Sequence, residues 1–282
     1  LKTFFNRKIL FIACGIIVVF IGWILYFAYY QKTSSIVEIK SINDIYKYIK
    51  PSEFNQDTLI VFDIDNTIGY PGSNTHLGSE QWFYNTVENY KKQGMTFDQA
   101  IEATLPLSFQ IMEHTWMVPP EPTTVPVIKD LQNKGIVTIS LTARSLDLTH
   151  RTIEQLFRMG ILFNGKGLAQ CPILNEANGT PALYIQGIIF SAGQDKGEML
   201  AHWLSQVNYH PKKIIFIDDK IKNITAVEEV LRKYHYPYIG MRYGYLDEYK
   251  KSITPEIMEK ELQEFLKKYP ESRPIFNMPA LP

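Results

Sequence analysis

Two carboxylates two residues apart, Asp63 and Asp65, close the apolar run Leu59-Ile60-Val61-Phe62 and are followed by Asn66-Thr67. A strand ending there places both acids at its carboxyl end, where a sheet opens to ligand. One carboxylate can then attack phosphorus to form an aspartyl-phosphate, while the other protonates the leaving oxygen and later activates water. The same residues also suit a plain strand end followed by an Asx-type turn. A second apolar run ends in Leu141-Thr142-Ala143-Arg144. Thr142 offers a hydroxyl to a phosphate oxygen and Arg144 a fork that fits oxyanions, although both types are common at strand-to-helix turns. Lys196, in Asp195-Lys196-Gly197 at the head of a helical pattern, can present its ammonium to a transferring phosphoryl group and to Asp63. Alone it would read as a solvated lysine. A third run, Ile214-Ile215-Phe216-Ile217, ends in Asp218-Asp219, with Asn223 beyond. Adjacent acids suit a hard cation. Asp63, Asp219 and the Asp65 backbone carbonyl, with Asp218 beside them, would give Mg²⁺ the few carboxylates plus substrate phosphate that it accepts. The alternative there is an acidic helix N-cap. Each bland reading stands singly; together, at the ends of successive strands and in one order, the groups imply one crevice.

Holding these residues requires strands that alternate with helices, and the hydrophobic periodicity supplies them. Candidate strands fall at residues 58–62, 136–140, 184–190, 213–217 and 236–240, and helical patterns at 125–133, 149–157, 196–205, 224–233 and 255–268. Such alternation predicts an α/β fold, a Rossmann-like doubly wound parallel sheet with helices on both faces. Residues 78–117 break the rhythm. They are helical in pattern and rich in aromatics, among them Trp82, Phe83, Tyr84, Tyr90, Phe97 and Trp116, and read as a small helical cap inserted at about 68–118. Taken one by one, such rings more often fill a core. Residues 165–181 read as loops around a hairpin.

The chain has 282 residues and a formal net charge of zero, with no basic stripe to suggest nucleic acid. Residues 9–30 form an uninterrupted apolar run, long enough as a helix to cross a hydrocarbon core of roughly 30 Å. Lys2, Arg7 and Lys8 precede it, and Trp23, Tyr26, Tyr29 and Tyr30 lie near its end. That pattern predicts a single transmembrane helix within residues 1–34, its N-terminus cytoplasmic, with residues 35–282 as one domain outside the cytoplasm. The competing reading is a cleaved signal peptide and a secreted protein, but the run does not end in small residues. Cys14 and Cys171 are the two cysteines, so the domain holds one thiol and no internal disulfide.

The strand with DIDNT at 63–67, ISLTAR at 139–144, Lys196 and IFIDD at 215–219 together resemble the haloacid dehalogenase superfamily, over about residues 58–240. The resemblance implies Asp63 as nucleophile, Asp65 as general acid and base, Thr142 as the phosphate-binding hydroxyl, Lys196 as the motif-three lysine, and Asp218 and Asp219 as metal acids. In that superfamily an acid two beyond the nucleophile marks phosphatases and phosphotransferases. FDIDNT is similar to secreted class B acid phosphatases, although Ile217-Asp218-Asp219 replaces their glycine-bearing fourth motif. The LTAR and GIIFSAGQDKG stretches resemble a little-characterised group in intracellular bacteria. The expectation is a Mg²⁺-dependent phosphomonoester hydrolase acting on a small phosphorylated substrate. Its rival is a surface protein that keeps the fold as a binding module without useful turnover. Tyr70, His76, Trp82, His114 and Arg242 are possible substrate contacts outside the expected site.

Overall fold

The computed structural model of the chain describes residues 34–72, 75–165, 170–173 and 181–272, with positions 20 and 22. Apart from those two positions, the apolar run at 9–30 and the tail at 273–282 lie outside the described residues. Among the described residues no helix is long and apolar enough to cross a membrane.

The sheet has eight strands: β1 (Ser34–Ile39), β2 (Thr58–Phe62), β3 (Val137–Thr142), β4 (Gln170–Ile173), β5 (Ala182–Ile185), β6 (Ile188–Phe190), β7 (Lys213–Asp218) and β8 (Tyr238–Tyr243). Their order is β1-β8-β7-β2-β3-β6-β5-β4. All neighbours from β1 to β6 in that order pair in parallel, whereas β5 runs antiparallel to both β6 and β4. Every residue of β2 and β3 is buried, as strands covered on both faces require. β2 reads as an apolar run, whereas β3 carries Thr138 and Ser140, whose hydroxyls are hydrogen-bonded to Gln132 and to the Phe62 carbonyl. Side chains alternate between two cores with the strand period of two. Ile60, Phe62, Ile215 and Ile217 face one way, into a layer with Val127, Ile128, Leu131 and Leu156. Leu59, Val61, Ile214 and Phe216 face the other, against Leu200, Trp203, Val227 and Leu231.

Two helices supply the first layer and two the second. After the inserted helices α1 (Glu80–Lys92) and α2 (Phe97–His114), α3 (Thr124–Asn133) and α4 (Thr149–Met159) cover one face, and α5 (Lys196–Gln206) and α6 (Ile221–Lys233) the other. The chain closes with α7 (Asp247–Ser252) and α8 (Pro255–Lys268). Ser79 and Thr96 cap α1 and α2 by accepting from the backbone N–H groups of Trp82 and Gln99, which fixes where each starts. The inserted pair does not pack alone. Leu77, Trp82, Leu107 and Ile111 share a core with Met258 and Leu262 of α8, so the last helix joins the inserted layer.

Two local readings change. Residues 184–190 form a hairpin instead of one strand, because Gln186 and Gly187 both take positive φ, 50° and 78°, the conformation of a tight two-residue turn. The sheet is therefore mixed, not wholly parallel. β1 is an additional edge strand, registered Ser34 to Tyr238 through Ile39 to Tyr243. Its half-exposed sequence SSIVEI lacks the apolar continuity of the central strands.

Candidate active site

β2 and β7 are adjacent and in register from Thr58 opposite Lys213 to Phe62 opposite Ile217. Their carboxyl ends therefore deliver Asp63 and Asp218-Asp219 side by side. The chain leaves β2 towards β3 and returns through β7 on the opposite side, so these ends lie at the reversal of strand order where open α/β sheets bind ligands. Beyond Asp63 the backbone turns sharply. Thr67, Ile68 and Gly69 donate their N–H groups to the Ile64 carbonyl, and Asn66 donates to that of Gly69. Asn66 sits at φ 63°, a conformation that asparagine tolerates better than most residues.

Lys196 joins the two strand ends. Its Nζ donates to Asp63 Oδ1 at 2.5 Å and to Asp218 Oδ2 at 2.8 Å, with the lysine only 6% exposed. The seat depends on Gly197, where a Cβ would stand 2.8 Å from the Ala226 carbonyl and from Val230 Cγ2. Glycine lets α5 approach α6 closely enough to bring Lys196 to Asp218. Burial would lower the Lys196 pKa, but attraction to Asp218 and Asp63 outweighs it and the net shift is upward, so the ammonium stays charged. Asp63 lies well above its ordinary value because burial, with repulsion from Asp218, Asp219 and Asp65, exceeds the opposing pull of Lys196. Asp219 is raised by burial against the pull of Lys250, with Asp218 adding to the rise.

Asp63, Asp218 and Asp219 are buried and bring one carboxylate oxygen each within 4.8 Å of the others. Their capacities differ. Asp218 accepts from Lys220 N and Asn223 Nδ2 on Oδ1, and from Lys196 and Asn223 on Oδ2. One Asn223 nitrogen straddles both oxygens, so three groups hold this carboxylate; Asp218 anchors the lysine and is the most heavily engaged of the three acids. Asp63 takes Lys196 on Oδ1 and the Thr67 hydroxyl at 3.4 Å on Oδ2. Asp219 takes Lys250 on Oδ2 at 2.8 Å. Both retain free lone pairs, and this oxygen set, short of positive charge, fits a hard divalent ion. Asp65 enters the expected metal set through its backbone carbonyl; its side chain is turned elsewhere.

That side chain is gripped by Arg144, whose Nε and Nη2 donate to the two Asp65 oxygens at 3.0 and 2.8 Å. Nη1 donates to Thr152 and Gln155, and Nη2 also reaches Met117 Sδ. Sequence reasoning offered Arg144 to the phosphate or to the rest of the substrate; here its fork lies on Asp65. Thr142 is fully buried, its hydroxyl accepting the Arg144 N–H at 3.2 Å, and the cavity wall there is Ala143.

In front of Asp63 lies a cavity of about 400 Å³, lined also by Asp65, Lys196, Asp219, Lys220 and Glu80. Glu80, at the head of α1, is ion-paired with Lys220 and ties the inserted helices to the site. Burial raises its pKa while Lys220 opposes the rise. Lys250, Lys220 and Glu80 were not legible as site residues; each is one charged residue in a polar stretch. Of the possible contacts, His76 bonds Glu261 at 2.6 Å, His114 stacks on Tyr269, Tyr70 packs edge-on to Tyr249, and Arg242 pairs with Glu38 and Asp247. All four are engaged with other parts of the chain, Arg242 also donating Nε to the Asp219 carbonyl at 3.2 Å, and Trp82 lines a second cavity.

Fold and site thus define a doubly wound α/β protein with a lysine-pinned carboxylate cluster at the switch point of its sheet. The chain belongs to the family described as "Protein of unknown function (DUF2608)", whose model matches residues 38–270. It is 28% identical over 207 residues to a candidate outer membrane protein of Chlamydia pneumoniae, covering 73% of this chain and 76% of that one. A candidate outer membrane protein of Chlamydia muridarum is 26% identical over 215 residues, 76% of this chain and 78% of that one. Among solved structures, a haloacid dehalogenase-like family hydrolase of Streptococcus pneumoniae superposes with a TM-score of 0.40 at 14% identity, covering 65% of this chain and 93% of that one.

Proposed function

We propose that the chain is a Mg²⁺-dependent phosphomonoester hydrolase that works through an aspartyl-phosphate on Asp63. The observation that carries the reading is the Lys196 bridge at 2.5 and 2.8 Å between Asp63 and Asp218, facing an open cavity that Asp65 also lines. An Asp63 oxygen attacks phosphorus, a phosphorus–oxygen bond forms to the enzyme, and the ester oxygen leaves with a proton from Asp65. Water then attacks the phosphoryl group, gives its proton to Asp65, and phosphate leaves Asp63 free. Lys196 stabilises the charge that builds on the phosphoryl oxygens, and Arg144 holds Asp65 by both oxygens while each keeps a lone pair for the proton. A divalent ion on Asp63 and Asp219 would neutralise phosphate charge and hold Asp63 in the ionised form that a nucleophile needs.

The test is phosphate release by the purified full chain from a panel of phosphomonoesters, with and without Mg²⁺, beside Asp63→Asn and Asp65→Asn. Metal-dependent release abolished by the first variant and cut by orders of magnitude by the second is expected; wild-type rates in either would sink the mechanism. Product analysis with an added alcohol separates hydrolysis from transfer to an acceptor. One observation favours the rival binding module: the Lys250 ammonium sits on Asp219 Oδ2 and supplies part of the positive charge that a cation would otherwise bring. A folded protein that takes up Mg²⁺ yet releases no phosphate from any ester would decide for that rival.

The names of the chlamydial relatives refer to the outer membrane, which supports an envelope location. With residues 9–30 as a membrane anchor, the catalytic domain would face away from the cytoplasm. Protease accessibility in spheroplasts tests this; full protection of the domain would reverse the topology.

A further inference from the structure

Next to the carboxylate cavity is a second one of about 310 Å³, and the two share Asp65, Glu80, Tyr84, Ala143 and Gly193 as wall. They form one space with two ends of opposite chemistry. Asp63, Lys196 and Asp219 line the polar end alone. The other end is walled by Trp82, Phe83, Ile101, Leu105, Phe109 and Met112. Helix α2 supplies most of it by carrying two apolar stripes. Ala100, Leu107 and Ile111 are buried in the cores of the inserted layer. Ile101, Leu105, Phe109 and Met112, rotated round the helix from them, are only half buried. Leu105, Phe109 and Met112 belong to none of the packed clusters among the described residues. Side chains of this kind stand ready for a ligand and contribute little to the core.

The polar groups on this wall are already engaged. The Ser79 hydroxyl accepts from Trp82 N, that of Ser108 donates to the Leu105 carbonyl, and that of Ser145 to Asp147. Asp65 is held by Arg144, and Glu80 by Lys220. Besides Tyr84, which is exposed, the residual capacity is small, the Ser79 O–H, the spare lone pairs of Ser108 and Ser145 and one Glu80 oxygen, set against six apolar side chains. Burying a sugar, a base edge or a second phosphate largely unpaired is costly. Asp65, lining both ends, stands where the leaving oxygen must be. The phosphoryl group therefore belongs on the Asp63 side and the alcohol on the apolar side.

We propose that the apolar chamber receives the alcohol portion of the substrate, so that the preferred substrates are phosphomonoesters of aromatic or medium-chain aliphatic alcohols instead of sugar phosphates or nucleotides. This rests on the phosphomonoesterase reading above. The chamber is about twice the ~150 Å³ that admits a benzene molecule in an engineered protein cavity, room for a ring with a short linker. The bond broken joins phosphorus to the ester oxygen, and the apolar alcohol departs neutral with the Asp65 proton.

The experiment compares ethyl, butyl, hexyl and 3-phenylpropyl phosphates with glycerol 1-phosphate, using the full chain with Mg²⁺. All are primary alkyl esters of similar intrinsic reactivity, so differences report the chamber. kcat/KM is expected to rise about fourfold per added methylene until the chamber fills, roughly 250-fold over the four methylenes from ethyl to hexyl. Leu105→Asn should cut the hexyl-to-ethyl ratio about tenfold or more. If that variant does not fold, Phe109→Ala serves instead and should move the optimum to longer chains. A flat or falling series, with glycerol phosphate hydrolysed as well as hexyl phosphate in an Asp63-dependent manner, overturns the chamber assignment and leaves the hydrolase standing. Release from no ester at all overturns the hydrolase reading and this inference with it.

Discussion

Replacing Lys196 by methionine keeps an unbranched side chain, one atom shorter, and removes its charge. The wild-type ammonium is almost wholly buried and contacts two carboxylates at 2.5 and 2.8 Å, so its loss strands Asp63 and Asp218 in a low-dielectric site. Removing one partner of a buried ion pair typically destabilises by about 3–5 kcal/mol. At about 2–4 °C per kcal/mol for a domain of this size, the melting temperature should fall by roughly 6–20 °C. Burial already holds Asp63 well above its ordinary 3.8, and Lys196 is the group that opposes that rise. A carboxyl whose folded-state pKa exceeds its unfolded value binds protons preferentially when folded. It favours the native state at low pH, and that contribution disappears as pH rises through the folded value. The deficit of the variant should therefore be larger at about pH 8 than at about pH 5. Thermal unfolding at both pH values, in metal-free buffer, measures it. The double variant Lys196→Met, Asp218→Asn should show a coupling energy of about 1 kcal/mol or more, because neutralising Asp218 relieves the stranded charge. A single variant within about 1 kcal/mol of wild type at the higher pH, with no coupling, would refute the bridged geometry.

Gly197→Ala places a Cβ against the Ala226 carbonyl and Val230; α5 and α6 must separate, at a cost of about 1–3 kcal/mol by chemical unfolding, with phosphate release reduced. Unchanged stability would mean that the helices do not meet there. Arg144→Lys removes the paired grip on Asp65 and the bonds to Thr152 and Gln155. It should lower kcat roughly ten- to a hundredfold with a smaller change in KM; a selective rise in KM would return Arg144 to the substrate phosphate. Mg²⁺ at about a hundred times its Kd should stabilise the protein by about 2.7 kcal/mol, reversibly with EDTA. Asp219→Asn should lose most of that gain, and retention of the full shift would place the ion elsewhere.

The central sheet and the order of its acids were legible because the information is local. β2 and β7 are covered on both faces, so each is a largely apolar run whose carboxyl end is marked by the first acid, Asp63 and Asp218, buried there only with Lys196 as partner. The helical insert was legible for the same reason, through its periodicity and its aromatic content. Helix α8, legible only as a helical pattern at 255–268, completes the core of that insert through Met258 and Leu262, a pairing across most of the chain that no local pattern carries.

By itself the sequence determined which residue types stand at which strand ends, since hydrophobic burial and strand periodicity act over a few neighbours. Only the tertiary structure decided how those charges are shared. Arg144 went to Asp65, Asp218 went to Lys196, Lys220 N and Asn223, Lys250 arrived on Asp219 from a distant helix, and Glu80 met Lys220 from the insert. Buried charges take whichever partner the fold brings within about 3 Å, and that distance is set by packing between elements far apart in the chain.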